Sequence, residues 1–258
     1  MLRFCSLGSG STGNATLVEG SSGTTTTRLL IDCGFSLKEL ENRLALRGLA
    51  LADIDALFIT HEHADHVGCA LALARRQPLR LCMSRGTWQA IASPDAAGIE
   101  FVRDGERVAV GDLELVPYTV PHDAREPLQL VCGDGAVRLG VLTDTGAPTP
   151  YLLRRLEGCE ALVLECNHDP DLLAASSYPP ALKARIAGAY GHLGNDAATR
   201  ILAWLAHGGL RHVVAAHLSE MNNTKALAQA ALGQALGASA AEVVVADPVS
   251  GFGWLTVD

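Results

Sequence analysis

The chain has 258 residues, 48% hydrophobic residues and a formal net charge of -8. This length is enough to bury the core of one large domain, and the apolar content excludes an intrinsically disordered chain. The acidic balance excludes a general basic field for nucleic acid. A polyanionic partner therefore requires a local basic patch or bound cations.

Seven cysteines are scattered along the chain without a Cys-x-x-Cys pair. An odd number in apolar segments favours buried thiols in a reducing compartment. The first residues lack the long apolar core of a signal peptide, and no apolar run approaches the roughly 20 residues of a membrane helix. We therefore expect a cytoplasmic protein with no membrane partner; the sequence does not indicate its oligomeric state.

The first part of the chain alternates short apolar runs with stretches that have leucines three or four residues apart. The predicted strands are residues 2–7, 15–19, 28–32, 56–59 and 79–82. The predicted helices are residues 36–47, 67–76 and 84–92, with Ser36 as the N-cap of the first. Residues 20–27 are predicted to form a turn.

The later part of the chain begins with a second β-rich block and then alternates again. The predicted strands are residues 108–110, 113–116, 128–131, 137–142, 162–164, 213–216 and 243–245. The predicted helices are residues 195–207 and 224–236. Two β-rich blocks, each followed by alternating elements, predict two packed sheets with helices outside, in the α/β (α+β) class. No linker is visible, so we expect one domain over residues 1–258.

A cluster of potential metal ligands directly follows the predicted strand 56–59. Residues 60–66 read Thr-His-Glu-His-Ala-Asp-His, so His61, His63, Asp65 and His66 lie within six positions. Imidazole and carboxylate together suit zinc, manganese or iron. Four such residues at a strand end favour a metal site over a solvated loop tip. This segment predicts a metal-dependent hydrolase.

Further ligand-type residues follow other predicted strands, namely Asp32, His122, Asp144 and His217. Strand ends on one edge of a sheet face the same crevice. Each residue alone is an ordinary cap or turn residue, but the repetition predicts that they join the cluster.

The pattern Thr-His-x-His-x-Asp-His, with a later His, an Asp and a last His, resembles the metallo-β-lactamase superfamily. Six further segments closely resemble its YycJ (WalJ) group, namely Gly8–Asn14, Leu30–Gly34, Glu165–Asp169, Tyr178–Ile186, Gly191–Asn195 and His217–Asn223. The resemblance implies a four-layer αββα sandwich over residues 1–258 without a β-CASP insertion. It also implies a 5′→3′ exonuclease acting on duplex DNA.

Carried onto this sequence, the resemblance implies two divalent metal ions per chain, Zn²⁺ or Mn²⁺. His61, His63 and His122 would hold the first ion. Asp65, His66 and His217 would hold the second, and Asp144 would bridge both. Asp32 would orient a ligand histidine through its second ring nitrogen.

The implied mechanism is attack of a metal-bound hydroxide on the phosphodiester. Asp65 would orient the hydroxide. His192, which resembles a phosphate-contacting histidine of the related β-CASP enzymes, would stabilise the developing charge or protonate the leaving oxygen.

Other residues are predicted to support the ligands or contact the substrate. Lys183 and Arg185 are candidate contacts to backbone phosphates, although solvated helix-face charges are an equally good interpretation. Asn14 ends a Gly-rich loop, for which a tight structural turn is the alternative. Asn167 and His168 follow the predicted strand 162–164, which places them near the crevice.

Two other functions remain open from the sequence. The same metal cradle serves the hydrolysis of a small-molecule ester, thioester or cyclic phosphodiester, because a fold does not fix its substrate. The second alternative is a non-catalytic metal-binding regulatory protein. Purely structural zinc sites are usually closed by four protein ligands, which disfavours this alternative.

Overall fold

The computed structural model describes residues 1–91, 98–237 and 243–258. Within them the strands, in chain order, are β1 (Leu2–Gly8), β2 (Ala15–Ser22), β3 (Thr25–Ile31), β4 (Ala56–Ile59), β5 (Arg80–Met83), β6 (Ile99–Phe101), β7 (Val108–Val110), β8 (Leu113–Thr119), β9 (Leu128–Gly133), β10 (Arg138–Leu142), β11 (Ala161–Glu165), β12 (His212–Ala216), β13 (Val244–Val245) and β14 (Phe252–Val257). The α-helices are α1 (Leu37–Ala45), α2 (Ala64–Val67), α3 (Ala70–Arg76), α4 (Arg85–Ala90), α5 (Pro150–Leu156), α6 (Pro170–Ala175), α7 (Pro180–Ile186), α8 (Asn195–Leu205) and α9 (Lys225–Leu236).

The strands form two seven-stranded sheets in the described part of the chain. The first has the order β14-β1-β2-β3-β4-β5-β6 and the second the order β13-β12-β11-β10-β9-β8-β7. Each sheet is antiparallel on one side and parallel on the other; in the first, β3 to β6 are parallel, and in the second, β10 to β13. The first sheet with α1 to α4 is called the first half below, and the second sheet with α5 to α9 the second half.

Three apolar clusters hold the layers together, which confirms the predicted αββα sandwich. Strand β4 shows how one strand serves two of them. Ala56 and Phe58 face the core between the sheets, whereas Leu57 and Ile59 face the helices of the first half. This alternation follows the period of two of a strand, and burial on both faces explains why the run is wholly apolar. The third cluster packs α5, α8 and α9 against the second sheet.

Two of the predicted boundaries are wrong. The predicted turn over residues 20–27 is mostly strand, because β2 and β3 pair as far as Ser22 and Thr25. Three β-branched threonines at 25–27 favour the extended conformation. The predicted helix 67–76 is broken at Gly68, which has a φ of 27°. A Cβ there would lie 2.4 Å from the Cys33 carbonyl oxygen, so this close approach requires glycine.

The sequence reading also missed five elements. Three are short helices with proline in their first turn, α5 to α7, and the other two are the edge strands β6 and β14. Proline at the first helical position, as after the caps Thr149 and Asp169, was a readable start signal. Residue 92, the end of the predicted helix 84–92, lies outside the described residues.

All seven cysteines are buried free thiols, as the sequence suggested. The sulfur atoms of Cys33 and Cys69 lie 3.1 Å apart. Among the described residues, no helix combines the length and the apolar character that a membrane crossing requires.

Candidate metal centre

The predicted ligands lie together at one edge of the sandwich, where strands of both sheets end. Strand β4 ends at Ile59, and the segment His61–His66 follows it. The short helix α2 carries Asp65 and His66 on its single turn, which turns both side chains towards the edge. The second half contributes from the ends of β10 and β12, where Asp144 and His217 follow.

Backbone conformation marks three of these positions. In the described residues, the only non-glycine residues with positive φ are Asp32 (62°), Asp144 (50°) and His217 (55°). Each follows the end of a strand, and each belongs to the predicted site. The left-handed region is sparsely populated by residues with a Cβ, and such strain concentrates at functional sites. At each position the left-handed backbone turns the chain at the end of the strand, and the side chain lies at the cluster.

The donor atoms converge in two groups of three residues. Within each group every donor atom lies within 4.8 Å of the others; one group is His61, His63 and His122, and the other is Asp65, His66 and His217. These are the two ligand sets that the family resemblance implied. A third set contains Asp144 with His61 and His66, so this carboxylate connects both groups.

Short distances within the cluster show how closely the donors approach. The Nε2 atom of His66 lies 3.1 Å from Asp144 Oδ2, and His217 Nε2 lies 3.5 Å from Asp144 Oδ1. His63 Nδ1 and His122 Nε2 are 3.3 Å apart. This arrangement of imidazole and carboxylate donors around a small volume is capable of binding metal ions.

Unpartnered polar atoms test whether a cation fits. The Nε2 atoms of His61 and His217 are buried, and neither makes a hydrogen bond within the described residues. A buried polar atom without a partner costs about 1–3 kcal/mol. Both atoms belong to the donor groups, so a cation bound there satisfies them. The residues therefore fit a divalent metal.

The protonation of the histidines follows from the carboxylates around them. Burial lowers the pKa of His61 well below its usual value. Burial also opposes a charge on His66, but the carboxylates of Asp144 and Asp32 raise its pKa well above the usual value. In the same way Asp144 and Asp65 raise the pKa of His217 to about 10. Because a metal ligand must be deprotonated, a metal bound by these histidines would release protons.

Asp32 and Thr60 orient two ligands of the first half. His66 Nδ1 donates to Asp32 Oδ2 at 2.8 Å. The Thr60 hydroxyl donates to the same carboxylate and lies 3.0 Å from His61 Nδ1, from which it accepts. This chain of hydrogen bonds places the protons on both Nδ1 atoms. Once His66 has released its second proton, the lone pair on each Nε2 atom is available to a metal.

Glu165 plays the corresponding part in the second half, and the sequence reading missed it as a site residue. Its buried carboxylate accepts from His192 Nδ1 at 2.8 Å and lies 3.6 Å from His217 Nδ1. The backbone N–H groups of Thr145 and Leu193 also donate to it. Glu165 directly ends β11, so the strand-end rule that singled out Asp144 would have found it.

The remaining ligand of the second half is held by the backbone. His122 Nδ1 donates to the Gly191 carbonyl oxygen at 3.0 Å, which turns Nε2 towards the cluster. Asp123, also missed from the sequence, follows it and places Oδ1 3.9 Å from His63 Nε2.

Of the three supporting residues predicted from the sequence, two contact donor residues and one does not line the crevice. Asn14 lies at the cluster, where its amide donates to Gly10 and Asp65. Asn167 donates to the His217 carbonyl oxygen at 3.0 Å. His168, by contrast, is buried beside Gly194 and does not line the crevice.

Of the two basic residues predicted to contact phosphate, only Arg185 lies at the crevice. Arg185 lines the crevice, and its guanidinium pairs with Asp123 at 2.7 Å. The Lys183 ammonium donates to the Ala174 carbonyl oxygen at 2.6 Å and does not line the crevice. Neither cation is therefore free at the metal centre.

The donors open into a crevice with a volume of about 220 Å³. Its lining includes donors from both groups, Asp144, His192 and Ser11 of the Gly-rich loop. Three carboxylates, three histidines and Arg185 line it, so a small anionic group fits only when bound cations offset the carboxylates. The geometry supports hydrolysis in which a polarised ester or phosphoryl group sits over the cluster.

Comparison with known proteins agrees with this geometry. The family model described as "Beta-lactamase superfamily domain" matches residues 27–218. The chain belongs to the metallo-β-lactamase superfamily, and its relatives named as exodeoxyribonucleases support a hydrolase.

Two named relatives narrow the position within the superfamily. The chain is 34% identical over 241 residues to "Exodeoxyribonuclease YycJ" of Bacillus anthracis, covering 91% of this chain and 89% of the relative. It is 31% identical over 232 residues to "Exodeoxyribonuclease WalJ" of Streptococcus pneumoniae, covering 88% and 85%. The metallo-β-lactamase fold protein YhfI from Bacillus subtilis superposes with a TM-score of 0.73, at 16% identity over 98% of both chains. This structural match shows the shared fold.

Proposed function

We propose that this protein is a dinuclear metal-dependent phosphodiesterase, and specifically a 5′→3′ exonuclease on duplex DNA. The observation that carries the proposal is that Asp144 lies close to donors of two groups of three residues, each of which could hold a metal ion. The exodeoxyribonuclease names of the two relatives support the substrate. We propose further that the chain is one domain over residues 1–258, without a β-CASP insertion, and that it acts in the cytoplasm.

Two divalent ions, Zn²⁺ or Mn²⁺, are the proposed cofactors. His61, His63 and His122 would hold one ion, and Asp65, His66 and His217 the other, with Asp144 shared. When bound, the ions supply Lewis-acid polarisation of the phosphoryl oxygen and lower the pKa of water towards neutrality.

The chain's own residues would then position the reaction. Asp65 Oδ2 lies 3.5 Å from both His66 Nε2 and His217 Nε2, so it is placed to orient an attacking water. The pKa of His192 is raised, because Glu165 and Asp144 outweigh its burial. With Nδ1 bonded to Glu165, its protonated Nε2 is the donor for a phosphate oxygen or the leaving oxygen.

One experiment separates this function from its alternatives. The purified protein is loaded with Mn²⁺ or Zn²⁺ and given 5′-labelled duplex DNA, single-stranded RNA and a thioester in parallel. We expect labelled mononucleotide from the duplex, and none from a His61→Ala variant. His207→Ala is the matched control, because that ring bonds to the Cys159 carbonyl away from the site.

Each other outcome points to a different class. Thioester turnover alone would contradict the nuclease and support a small-molecule hydrolase. Metal binding without turnover of any substrate would support a regulatory metal-binding protein. Elemental analysis gives an independent check of the site, because the Asp144 bridge requires about two ions per chain under metal-replete conditions.

A further inference from the structure

A nucleic-acid substrate needs more cationic surface than the metal centre provides. The chain carries a net charge of -8, and the two basic residues near the crevice are already engaged, Arg185 with Asp123 and Lys183 with a carbonyl oxygen. Phosphates beyond the scissile one must therefore meet cations elsewhere. Among the described residues, a groove close to the centre meets this need.

The groove has a volume of about 390 Å³ and three arginines in its lining, Arg85, Arg103 and Arg125. All three are exposed. Within residues 1–91, 98–237 and 243–258, none of the three forms an ion pair with a carboxylate. We call this surface the arginine groove. It differs from the crevice, where the lining arginine pairs with Asp123.

The arginine groove is continuous with the metal centre along one loop. His122 is a donor of the first group, Asp123 lines the crevice, and Arg125 lines the groove. Two residues of chain span at most about 7 Å. The Arg125 backbone N–H also donates to Glu62 Oε1 at 2.7 Å, which fixes the loop to the ligand segment. Three residues of chain lead from His122 to Arg125, so the groove begins within about 11 Å of the cluster.

The carboxylate in the groove is already in use. Glu126 is the acidic residue of the described lining, and its Oε2 accepts from the Gly86 backbone N–H at 2.6 Å. Three guanidinium groups against one carboxylate give the groove a positive charge. Arginine also matches phosphate geometry well, because its planar donors bind two oxygens at once.

The aromatic residue of the groove is committed to packing. The Arg85 guanidinium lies 4.4 Å from the centre of the Phe101 ring, and the Trp88 ring packs against it at 5.5 Å with an interplanar angle of 68°. The groove thus presents cations in place of an aromatic platform for a base. Recognition of this kind contacts phosphates and carries no sequence information.

We propose that the arginine groove binds the sugar-phosphate backbone of the nucleic acid next to the phosphodiester held at the metal centre. This inference rests on the proposed function, because it takes its substrate from that function. It assigns Arg85, Arg103 and Arg125 as sequence-independent phosphate contacts and gives the acidic chain its local cationic surface.

The test compares two triple variants that remove the same charge. One is R85Q/R103Q/R125Q in the arginine groove. The matched control is R107Q/R138Q/R154Q, which changes three arginines of another cavity. Arg138 begins β10, and Asp144 follows the end of that strand. The control arginine therefore lies at the end of the strand opposite to the metal centre. Affinity for a phosphorothioate DNA duplex of about 20 base pairs is measured at about 50 and 200 mM salt.

We expect the groove variant to bind the duplex roughly tenfold more weakly, with a salt dependence lower by about two to three in slope, one unit per lost phosphate contact. The control variant is expected to match the wild type. Turnover of bis-p-nitrophenyl phosphate, which has no second phosphate for the groove to hold, is expected to fall far less than duplex affinity in the groove variant.

The outcomes separate this inference from the proposed function. Equal affinity and equal salt slope in the two triple variants would overturn the inference, even if the wild type digests DNA. A wild type that binds the duplex through the groove but releases no nucleotide would leave the inference standing and contradict the exonuclease. A wild type that fails to bind the duplex at low salt would overturn both.

Discussion

The two halves of the sandwich build the same centre in different ways. The first half supplies His61, His63, Asp65 and His66 from one segment after a single strand. The second half supplies its residues singly, from positions that follow different strands and are separated by tens of residues. In both halves a buried carboxylate behind the ligands orients a histidine, Asp32 in the first and Glu165 in the second.

This difference shows what a compact motif does for a metal site. Neighbouring donors in one segment are brought together by local backbone geometry, and residues from elsewhere in the first half, such as Asp32, then fix their orientation. Single ligands depend on the register of parallel strands, which brings Asp144 and His217 to one edge. The second half therefore supplies Asp144, the carboxylate close to both donor groups. We expect single substitutions there to lower activity more than single substitutions in the first half.

The largest expected effect tests that sensitivity directly. Asp144→Asn keeps the size and tolerates the positive φ, but it removes the charge shared by both donor groups. We expect duplex hydrolysis to fall on the order of a thousandfold, with loss of both ions in elemental analysis. His63→Ala, which removes a donor of one group only, is expected to lose one ion. Equal metal loss in the two variants would contradict the shared role of Asp144.

The next comparison sets the two orienting carboxylates against each other. Asp32→Asn weakens the hydrogen bond that orients His66, so we expect metal affinity to fall by about 10- to 100-fold. Glu165→Gln also releases His192, so we expect a further loss in kcat at saturating metal. Metal titration and steady-state kinetics measure the two effects. Identical profiles for both variants would show that His192 takes no separate part.

A charge cluster far from the ligands separates stability from catalysis. Buried Glu19 pairs with Arg3 at 2.6 Å and with Arg28 at 2.8 Å. Although burial opposes its charge, these guanidinium groups hold the pKa of Glu19 below its usual 4.5. A folded pKa below the unfolded one stabilises the protein above pH 4.5, and this stabilisation is lost as the pH falls through the folded value.

We therefore expect Glu19→Gln to lower the free energy of unfolding by about 2 kcal/mol at neutral pH. The difference in the free energy of unfolding between this variant and the wild type should shrink below pH 4.5. Urea unfolding over a pH series measures it. Activity per folded molecule should stay unchanged. A pH-independent difference would show that packing, and not charge, explains the loss.

The smallest expected effect concerns a purely local feature of the first half. The Ser36 side chain accepts from the Glu39 backbone N–H at 3.2 Å and caps α1. Ser36→Ala is expected to cost about 1 kcal/mol of stability, and Ser36→Asp should keep most of it. Thermal unfolding measures both. A loss in Ser36→Asp equal to that in Ser36→Ala would contradict the cap as the cause.

The features that the sequence determined are the local ones. Apolar period and turn residues located most strands, the Ser36 cap and the seven-residue ligand segment, because each depends on neighbours within a few positions. The alternation of β-rich blocks with helices was enough for the class of fold. The family motifs then implied the two ligand sets, and the structure brings those residues together.

Only the tertiary structure decided the features that depend on distance through space. It brought Glu165 against His192 and His217, split the predicted helix at Gly68, and assembled Arg85, Arg103 and Arg125 into one groove. These residues lie tens of positions apart or depend on a close backbone approach from another segment. Periodicity along the chain encodes which face is buried, whereas strand order and loop conformation determine which buried faces meet.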